Sequence, residues 1–467
     1  MAAPRIAIVG AGVAGLACAH RLAVAPGGAD VVVLEASDRP GGHLRTERID
    51  EFLCERGPNG FLDNAPDTLA LVDSLGLRPE LVPSQDQARR RFVFRDGRLR
   101  LLPGSPGAFL TSDVLSFGAK LRIAREPFAP PRPDGDETIH AFAARRLGRE
   151  AADILVDPMV SGIFAGDARE LSLRAAFPKM WELEDQHGGL FRALVARRRK
   201  VRASGAPVES PLGRLTSFAN GIETLPRALA ASLGARLRLG SPVSSLARAT
   251  GTAAPWTIAL GSGETLAADH VVIAVPPTAA AALLAPLDMA LAATLATIPL
   301  APLVVVALGF DAAALGHALD GFGFLVPRGQ GVRILGALWE SSVYPGRAPS
   351  GRALIRVMTG GAHDPSVADL ADDQLLGLVR GDLMTTMGIR AEPEMVRIIR
   401  HRNAIPQYTV GHLDRLASID AALAGLSGLH LTGHGYRGVG INAAIADAVS
   451  VAARLRAFGA SARPDGA

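Results

Sequence analysis

The sequence predicts an α/β unit combined with an α+β unit. It reads as a parallel sheet with crossover helices, a mixed sheet, and a helical insertion. Three observations predict this. Residues 5–36 run strand, glycine turn, helix, strand, as "RIAIV", "GAGVAG", "LACAHRLAV" and "DVVVLEA". Residues 301–360 hold four β-rich runs, "LVVVALGF", "GFGFLVP", "RILGALW" and "ALIRVMTGG". Residues 113–200 carry a helical apolar pattern, interrupted by the loop "FAPPRPDGDE".

The remaining elements follow in chain order. "RRFVFRDGRLRLLP" (90–103) reads as two strands around an Asp96-Gly97 turn. The basic run "RRRKVR" (197–202) reads as a solvated loop. "FANGIETLPRALAASLG" reads as a helix after a strand end, and "WTIALGSGETLAADHVVIAVPP" as a hairpin leading into a buried strand. Residues 289–310 carry no charge and imitate a membrane span. Pro299 and Pro302 interrupt them, so they read as helix, turn and buried strand. "DDQLLGLVRGDLMTTMG" is a helix, "GLHLTG" a last strand, and a terminal helix follows; the tail 461–467 reads as disordered.

At 467 residues the chain is too long for one small domain, and 48% hydrophobic against 20% charged residues suits a large buried core. A net charge of +4 carries no nucleic-acid signature, but is compatible with an anionic substrate or an acidic membrane surface. Cys18 and Cys54 form neither a metal spacing nor a disulfide framework, so no metal site and a reducing compartment are expected. The N-terminus enters a strand directly, without the charged and apolar regions of a signal peptide. A cytoplasmic protein is expected.

The chemistry-bearing motif is Gly10-Ala11-Gly12-Val13-Ala14-Gly15. It closes a strand, opens a helix, and is followed by Glu35 twenty residues after Gly15. Gly10 suits the tight turn, Gly12 lets backbone approach a pyrophosphate, and Gly15 lets the helix pack on the sheet. Glu35 can accept bonds from ribose hydroxyls, with Ala36 beside it. A second glycine pair, Gly41-Gly42, follows six residues after Glu35, where a nicotinamide domain would continue to another crossover helix. Near the C-terminus, "GYRGVGINAAIADA" (435–448) repeats the pattern of glycine turn and helix start.

The glycine pair resembles the extended fingerprint of amine oxidase-type flavoproteins with two dinucleotide-binding domains, which implies FAD. Six further blocks sharpen the resemblance: "CERGPNGFLD" (54–63), "RRFVFRDGRLRLLPGSPGAFLTSD" (90–113), "SGIFAGDARELSLRAAFP" (161–178), "GFGFLVP" (321–327), "IPQYTVGHL" (405–413) and "GYRGVGIN" (435–442). In this order they resemble the oxygen-dependent protoporphyrinogen oxidase family, from residue 5 to about 455. The implied fold is a FAD-binding domain (1–85, 213–298, 425–460), a mixed-sheet substrate domain (86–112, 299–424) and a helical domain (113–212). The sequence departs from the family at His43, at His434-Gly435, and at Ala443-Ala444 after Asn442.

The resemblance implies six-electron oxidation of protoporphyrinogen IX to protoporphyrin IX in haem synthesis. Non-covalent FAD accepts hydride at N5, and O2 is the final acceptor, giving H2O2. It places no acid–base side chain in the reaction. The implied FAD contacts are Gly10 to Gly15, Glu35, Ala36, Gly42, His43, Gly57, Pro58, Asn59, Gly60, Val243, His434, Val439, Gly440 and Ile441. The C-terminal helix would point at the pyrimidine side of the flavin, where reduced flavin carries negative charge. Arg91 is the implied partner of a substrate propionate, a contact that suits a guanidinium fork, and Gly323 and Leu325 the implied pocket wall. Coproporphyrinogen III oxidation, amine or carotenoid oxidation, and a non-catalytic flavin-holding role in the haem pathway remain alternatives. A monomer or homodimer is expected, with ferrochelatase as a candidate partner. Peripheral contact with the inner face of the cell membrane is expected too, through residues 109–128 with Lys120, Arg122 and Arg125 towards headgroups.

Overall fold

The structure is a computed structural model that describes residues 3–25, 28–204, 213–248 and 255–461. A parallel sheet runs in the order Leu237–Arg238, Asp30–Leu34, Arg5–Val9, His270–Ile273, Leu429–Leu431. Both faces are covered, which is why these strands read as continuous apolar runs. Ile6, Ile8, Val31 and Val33 pack on one side against the helices Val13–Ala23, Thr224–Leu233 and Ile441–Ser461. Ala7, Val9, Val271 and Ile273 pack on the other against a three-stranded sheet carrying Trp256, and against the helices Pro277–Leu284, Met289–Ala296 and His412–Gly425.

A seven-stranded mixed sheet runs in the order Met395–Pro406, Leu300–Asp311, Arg352–Gly360, Ile334–Leu338, Gly323–Leu325, Arg91–Arg95, Arg98–Leu101. The Asp96-Gly97 turn has φ of 51° and 76°, the left-handed pair that a two-residue hairpin requires. The uncharged stretch 289–310 forms the helix Met289–Ala296 and the strand Leu300–Asp311. Among the described residues no helix is long and apolar enough to cross a membrane. Pro302, which has no N–H to donate, sits where the register to the neighbouring strand shifts.

One face of this sheet packs Phe94, Phe324, Val306 and Val357 against the helix Asp372–Met387. The other turns towards the parallel-sheet unit. Arg397 pairs with Glu47 at 2.8 Å, and Arg356 Nη1 donates to the Gly57 carbonyl at 2.5 Å. The strand Met395–Pro406 carries this face, and sequence patterning did not anticipate it. Its alternate positions are Arg397, Ile399 and His401, and the two polar ones are satisfied across a tertiary contact, so the apolar period of a strand is broken.

The insertion is helical, with the helices Phe117–Ala124, Ile139–Leu147, Asp157–Phe164, Pro178–His187 and Leu190–Ser204 among its elements. "RRRKVR", expected as a loop, lies within the last of these. It contains no Gly or Pro, and Arg and Lys are good helix formers, so nothing stops the helix. Two of the three cations expected to face a membrane are committed elsewhere. Lys120 Nζ donates to the Leu110 carbonyl at 2.9 Å, and Arg122 Nη2 to the Arg145 carbonyl at 2.6 Å. Arg125 is exposed. The terminal helix continues through Ser461; the rest of the tail expected to be disordered, 462–467, and the boundary at 212 lie outside the described residues.

Candidate active site

The first glycine loop leaves the carboxyl end of the strand Arg5–Val9. Gly10 has φ +102°, and a Cβ there would lie 2.9 Å from the Ala274 carbonyl oxygen; a Cβ on Gly15 would lie 2.0 Å from the Gly10 oxygen. Only glycine fits at either position. A Cβ on Gly12, by contrast, meets nothing within 4 Å. That open space fronts the N-terminus of the helix Val13–Ala23, which has no side-chain cap. Ala11, Val13 and Ala14 are buried, so the loop offers backbone rather than side chains. Free N–H groups and the helix dipole favour a phosphate there.

Glu35 directly follows the adjacent strand Asp30–Leu34. Its carboxylate accepts the Ala11 N–H at 2.7 Å, the Ser37 N–H at 2.9 Å and the Ser37 hydroxyl at 2.7 Å. These bonds fix it beside the loop, and a carboxylate's remaining lone pairs are left for ribose hydroxyls. Ala36 is exposed next to it. The Ser241 N–H donates to the Glu35 carbonyl at 2.7 Å, which brings the segment leading to Val243 alongside.

The second glycine pair closes on the first loop. The Gly41 N–H donates to the Ala11 carbonyl at 2.8 Å, and a Cβ on Gly42 would lie 3.4 Å from Gly12 Cα. Residues 57–60 lie beyond. A Cβ on Gly57 would meet the His43 carbonyl at 2.4 Å, and one on Gly60 the Tyr344 hydroxyl at 2.3 Å. Pro58 is exposed, while buried Asn59 donates to Glu340 at 3.2 and 3.3 Å. Glu340 in turn pairs with Arg356 Nε at 2.8 Å. A second buried pair, Arg347 and Glu55 at 3.6 Å, lies beside it, and burial pushes the Glu55 carboxyl up to about 7. Sequence reading missed all four of these charges, since they are scattered over 300 residues and no local pattern links them.

The C-terminal turn leaves the carboxyl end of Leu429–Leu431, a strand of the same parallel sheet. Asp447 Oδ2 accepts from the Thr432 hydroxyl at 2.7 Å and the Gly433 N–H at 3.1 Å. Tyr408 donates to the His434 carbonyl at 2.6 Å and accepts from the Gly438 N–H at 2.8 Å. A Cβ on Gly433 would come 3.9 Å from Ala14 Cβ, so the two glycine turns meet. The helices that follow share one core, with Val13, Ala14 and Ala17 from the first and Ile441, Ala444 and Ile445 from the last. Val439 is half-buried, and Gly440, just before the terminal helix, has open space at its Cβ position. Ala443 suits this turn by its size, because a Cβ on Gly438 would lie 2.3 Å from it. Two helix N-termini 428 residues apart (13 and 441) thus serve one site at the carboxyl edge of one sheet.

Three histidines gather where these segments meet the mixed sheet. The His43 ring lies 5.3 Å from that of His401 and 5.7 Å from that of His434, centroid to centroid, at 71° and 84°. Burial lowers the pKa of all three, that of His43 to about 4 with help from the other two rings.

Arg91, Gly323 and Leu325 come together on the inter-unit face of the mixed sheet. Gly323 pairs with Arg91 and Leu325 with Val93; further across, Gly323 aligns with Leu338 and then Arg356. Gly323 has φ +129°, and a Cβ there would lie 2.0 Å from the Ala337 oxygen. The neighbouring arginines are engaged, Arg90 with Asp320 and Arg89 with Asp86. Arg91 packs its guanidinium 5.0 Å from the Phe322 ring centroid and, among the described residues, has no carboxylate partner. Desolvation lowers its pKa. The helix Asp157–Phe164 walls this face, since a Cβ on Gly162 would meet Leu325 Cδ2 at 2.8 Å. A cavity of about 790 Å³ bounded by Arg132, Trp181 and Asp414 lies in the helical part, apart from these residues.

The sequence profile described as flavin containing amine oxidoreductase matches residues 13–456. The chain belongs to this family. The dinucleotide that its glycine loops suit is therefore FAD, and the protein is an oxidoreductase. Within the family the chain is 34% identical over 470 residues to the chloroplastic protoporphyrinogen oxidase of Nicotiana tabacum, covering 97% of this chain and 85% of that one. It is 33% identical to protoporphyrinogen oxidase of Homo sapiens (94% and 95% covered) and 30% identical to coproporphyrinogen III oxidase of Bacillus subtilis (95% and 98%). Among solved structures, an Exiguobacterium protein described as a candidate protoporphyrinogen oxidase superposes with a TM-score of 0.83 at 26% identity, over 98% of this chain and all of that one. Putrescine oxidase bound to putrescine superposes with a TM-score of 0.69 at 17% identity, over 97% and 99%, and shares the fold.

Proposed function

We propose that the chain oxidises protoporphyrinogen IX to protoporphyrin IX, removing six electrons in three two-electron steps, with O2 as final acceptor. The observation that carries this reading is Arg91, an arginine without an acid partner among the described residues, at the end of a sheet face whose Gly323 carries no side chain. A macrocycle bearing carboxylates needs such a surface. The names of the relatives support it, since they are similar along nearly the whole chain.

FAD supplies the two-electron acceptor when bound. The chain's part is to bind and orient. Gly10 to Gly15 and the first helix N-terminus would hold the phosphates, with Glu35 and Ala36 at the ribose. Gly42, His43, residues 57–60, Val243, His434, Val439, Gly440 and Ile441 would line the rest of the cofactor. Arg91 would anchor a propionate, while Gly323 and Leu325 form the wall. On this reading residues 1–85, 213–298 and 425–460 bind FAD, 86–112 and 299–424 bind substrate, and 113–212 form the helical domain.

Coproporphyrinogen III is the second reading, favoured by the Bacillus subtilis relative. Anaerobic mixing of the holoprotein with each porphyrinogen tests both readings. Bleaching of the flavin by protoporphyrinogen, with porphyrin fluorescence appearing, is expected; bleaching by coproporphyrinogen alone transfers the reading, and bleaching by neither removes it. Peroxide on admitting air tests the acceptor.

Reversible contact with an anionic bilayer is the remaining part of the proposal. Leu110, Phe117, Leu121 and Phe128 are all exposed, Phe117 at 82% and Phe128 at 86%. Apolar tips beside Arg125 suit an interfacial contact that releases a hydrophobic porphyrin into lipid.

A further inference from the structure

We propose that His43, His401 and His434 act together as the proton acceptor of the redox site, taking the proton that leaves a substrate N–H as the adjoining carbon gives up a hydride. This deepens the reading above and rests on it. Three imidazoles are brought together from the second glycine pair, the last strand of the mixed sheet and the C-terminal turn, all segments that converge on the FAD-facing edge. His401 Nε2 lies 2.8 Å from the Arg56 carbonyl oxygen. A carbonyl only accepts, so Nε2 carries the proton and Nδ1 is left as the acceptor.

The charges around the trio are spoken for. Arg56 and Arg397 pair with Glu47, which Arg45 also approaches, and Arg356 pairs with Glu340. On the C-terminal side Arg437 pairs with Asp420, and Asp447 is bonded by Thr432 and Gly433. Among the described residues no carboxylate bonds any of the three rings. Burial disfavours the protonated form of all three, so at neutral pH each is neutral and keeps one unprotonated ring nitrogen. Bound FAD would gain negative charge on reduction, which would raise the basicity of imidazoles that line it.

The balance is simple. One C–H bond and one N–H bond of a methylene–pyrrole unit break, and a double bond forms. Bound FAD would supply the hydride acceptor, and the proton makes an N–H bond on an imidazole.

The test counts protons rather than turnover. Holoprotein in weak buffer at pH 7.5 is reduced anaerobically with measured dithionite under a pH electrode, and the protons released by dithionite oxidation, calibrated with ferricyanide, are subtracted. Reduced flavin itself takes up one proton at this pH, so more than one per FAD is expected for the wild type and about one for H43Q/H434N. A His401→Gln variant, whose ring is on the sheet rather than a cofactor loop, should show the same fall and guards against loss of FAD in the double variant. Wild-type uptake of only one proton, or variants that take up as many as the wild type, overturns the proposal. Normal uptake in a protein that neither porphyrinogen reduces keeps the trio and removes the substrate reading.

Discussion

Replacing Glu340 by Gln removes one charge from a pair in which Glu340 is 2% and Arg356 4% exposed. Breaking a buried pair by losing one partner costs about 3–5 kcal/mol, because the other charge stays buried alone. Gln keeps a carbonyl, so Asn59 and the guanidinium retain one neutral acceptor, and Arg356 still donates to Gly57. That returns about 1 kcal/mol, leaving roughly 2–4 kcal/mol. Total stabilities are about 5–15 kcal/mol, so the loss is visible in a urea midpoint. Asn59 and Gly57 hang from the same pair, so the flavin loop loosens too. The urea transition, followed by flavin fluorescence, should move to lower concentration, with FAD released before global unfolding. Adding Arg356→Met should recover part of the global midpoint, since neither charge of this pair is then left buried alone, but not FAD retention. An E340Q protein with unchanged midpoint and unchanged FAD retention would refute the clamp.

Glu35→Ala should weaken FAD binding about 10- to 100-fold, the worth of charge-assisted bonds to ribose and to the Ala11 N–H, measured by ultrafiltration of released flavin. Arg91→Ala should raise KM for protoporphyrinogen more than it lowers kcat, at a cost of about 1–3 kcal/mol in kcat/KM; unchanged kcat/KM moves Arg91 off the substrate. The folded-state pKa of His43, about 4 against 6.5 for a free imidazole, means that the native state binds fewer protons in that window. Its stabilising share is therefore intact above pH 6.5 and lost as pH falls towards 4, and His43→Gln should flatten that part of the apoprotein's pH–stability curve. Phe117→Ser with Phe128→Ser should abolish co-sedimentation with anionic vesicles at low salt while the flavin spectrum stays unchanged.

The α/β start, the glycine loop, Glu35 and the hairpin at Asp96-Gly97 were legible in the sequence. Each is a local device: a strand's apolar run, a turn that only glycine can make, an acid at a fixed offset. The six ordered blocks, equally local, carried the family. The strand Met395–Pro406 and the continuous helix over 197–202 were not legible. The first keeps its polar residues satisfied across a contact with Glu47 and Arg56. The second lacks the apolar period that would have marked it. The tertiary structure alone decided that the turn at 433–440 lies against the loop at 10–15, that Glu340 and Arg356 suspend Asn59 and Gly57, and that the rings of His401 and His434 both pack against that of His43. The physical reason is the same in each case. Buried polar groups must find partners, and the chain brings those partners from hundreds of residues away, so no window of sequence holds both halves of the bond.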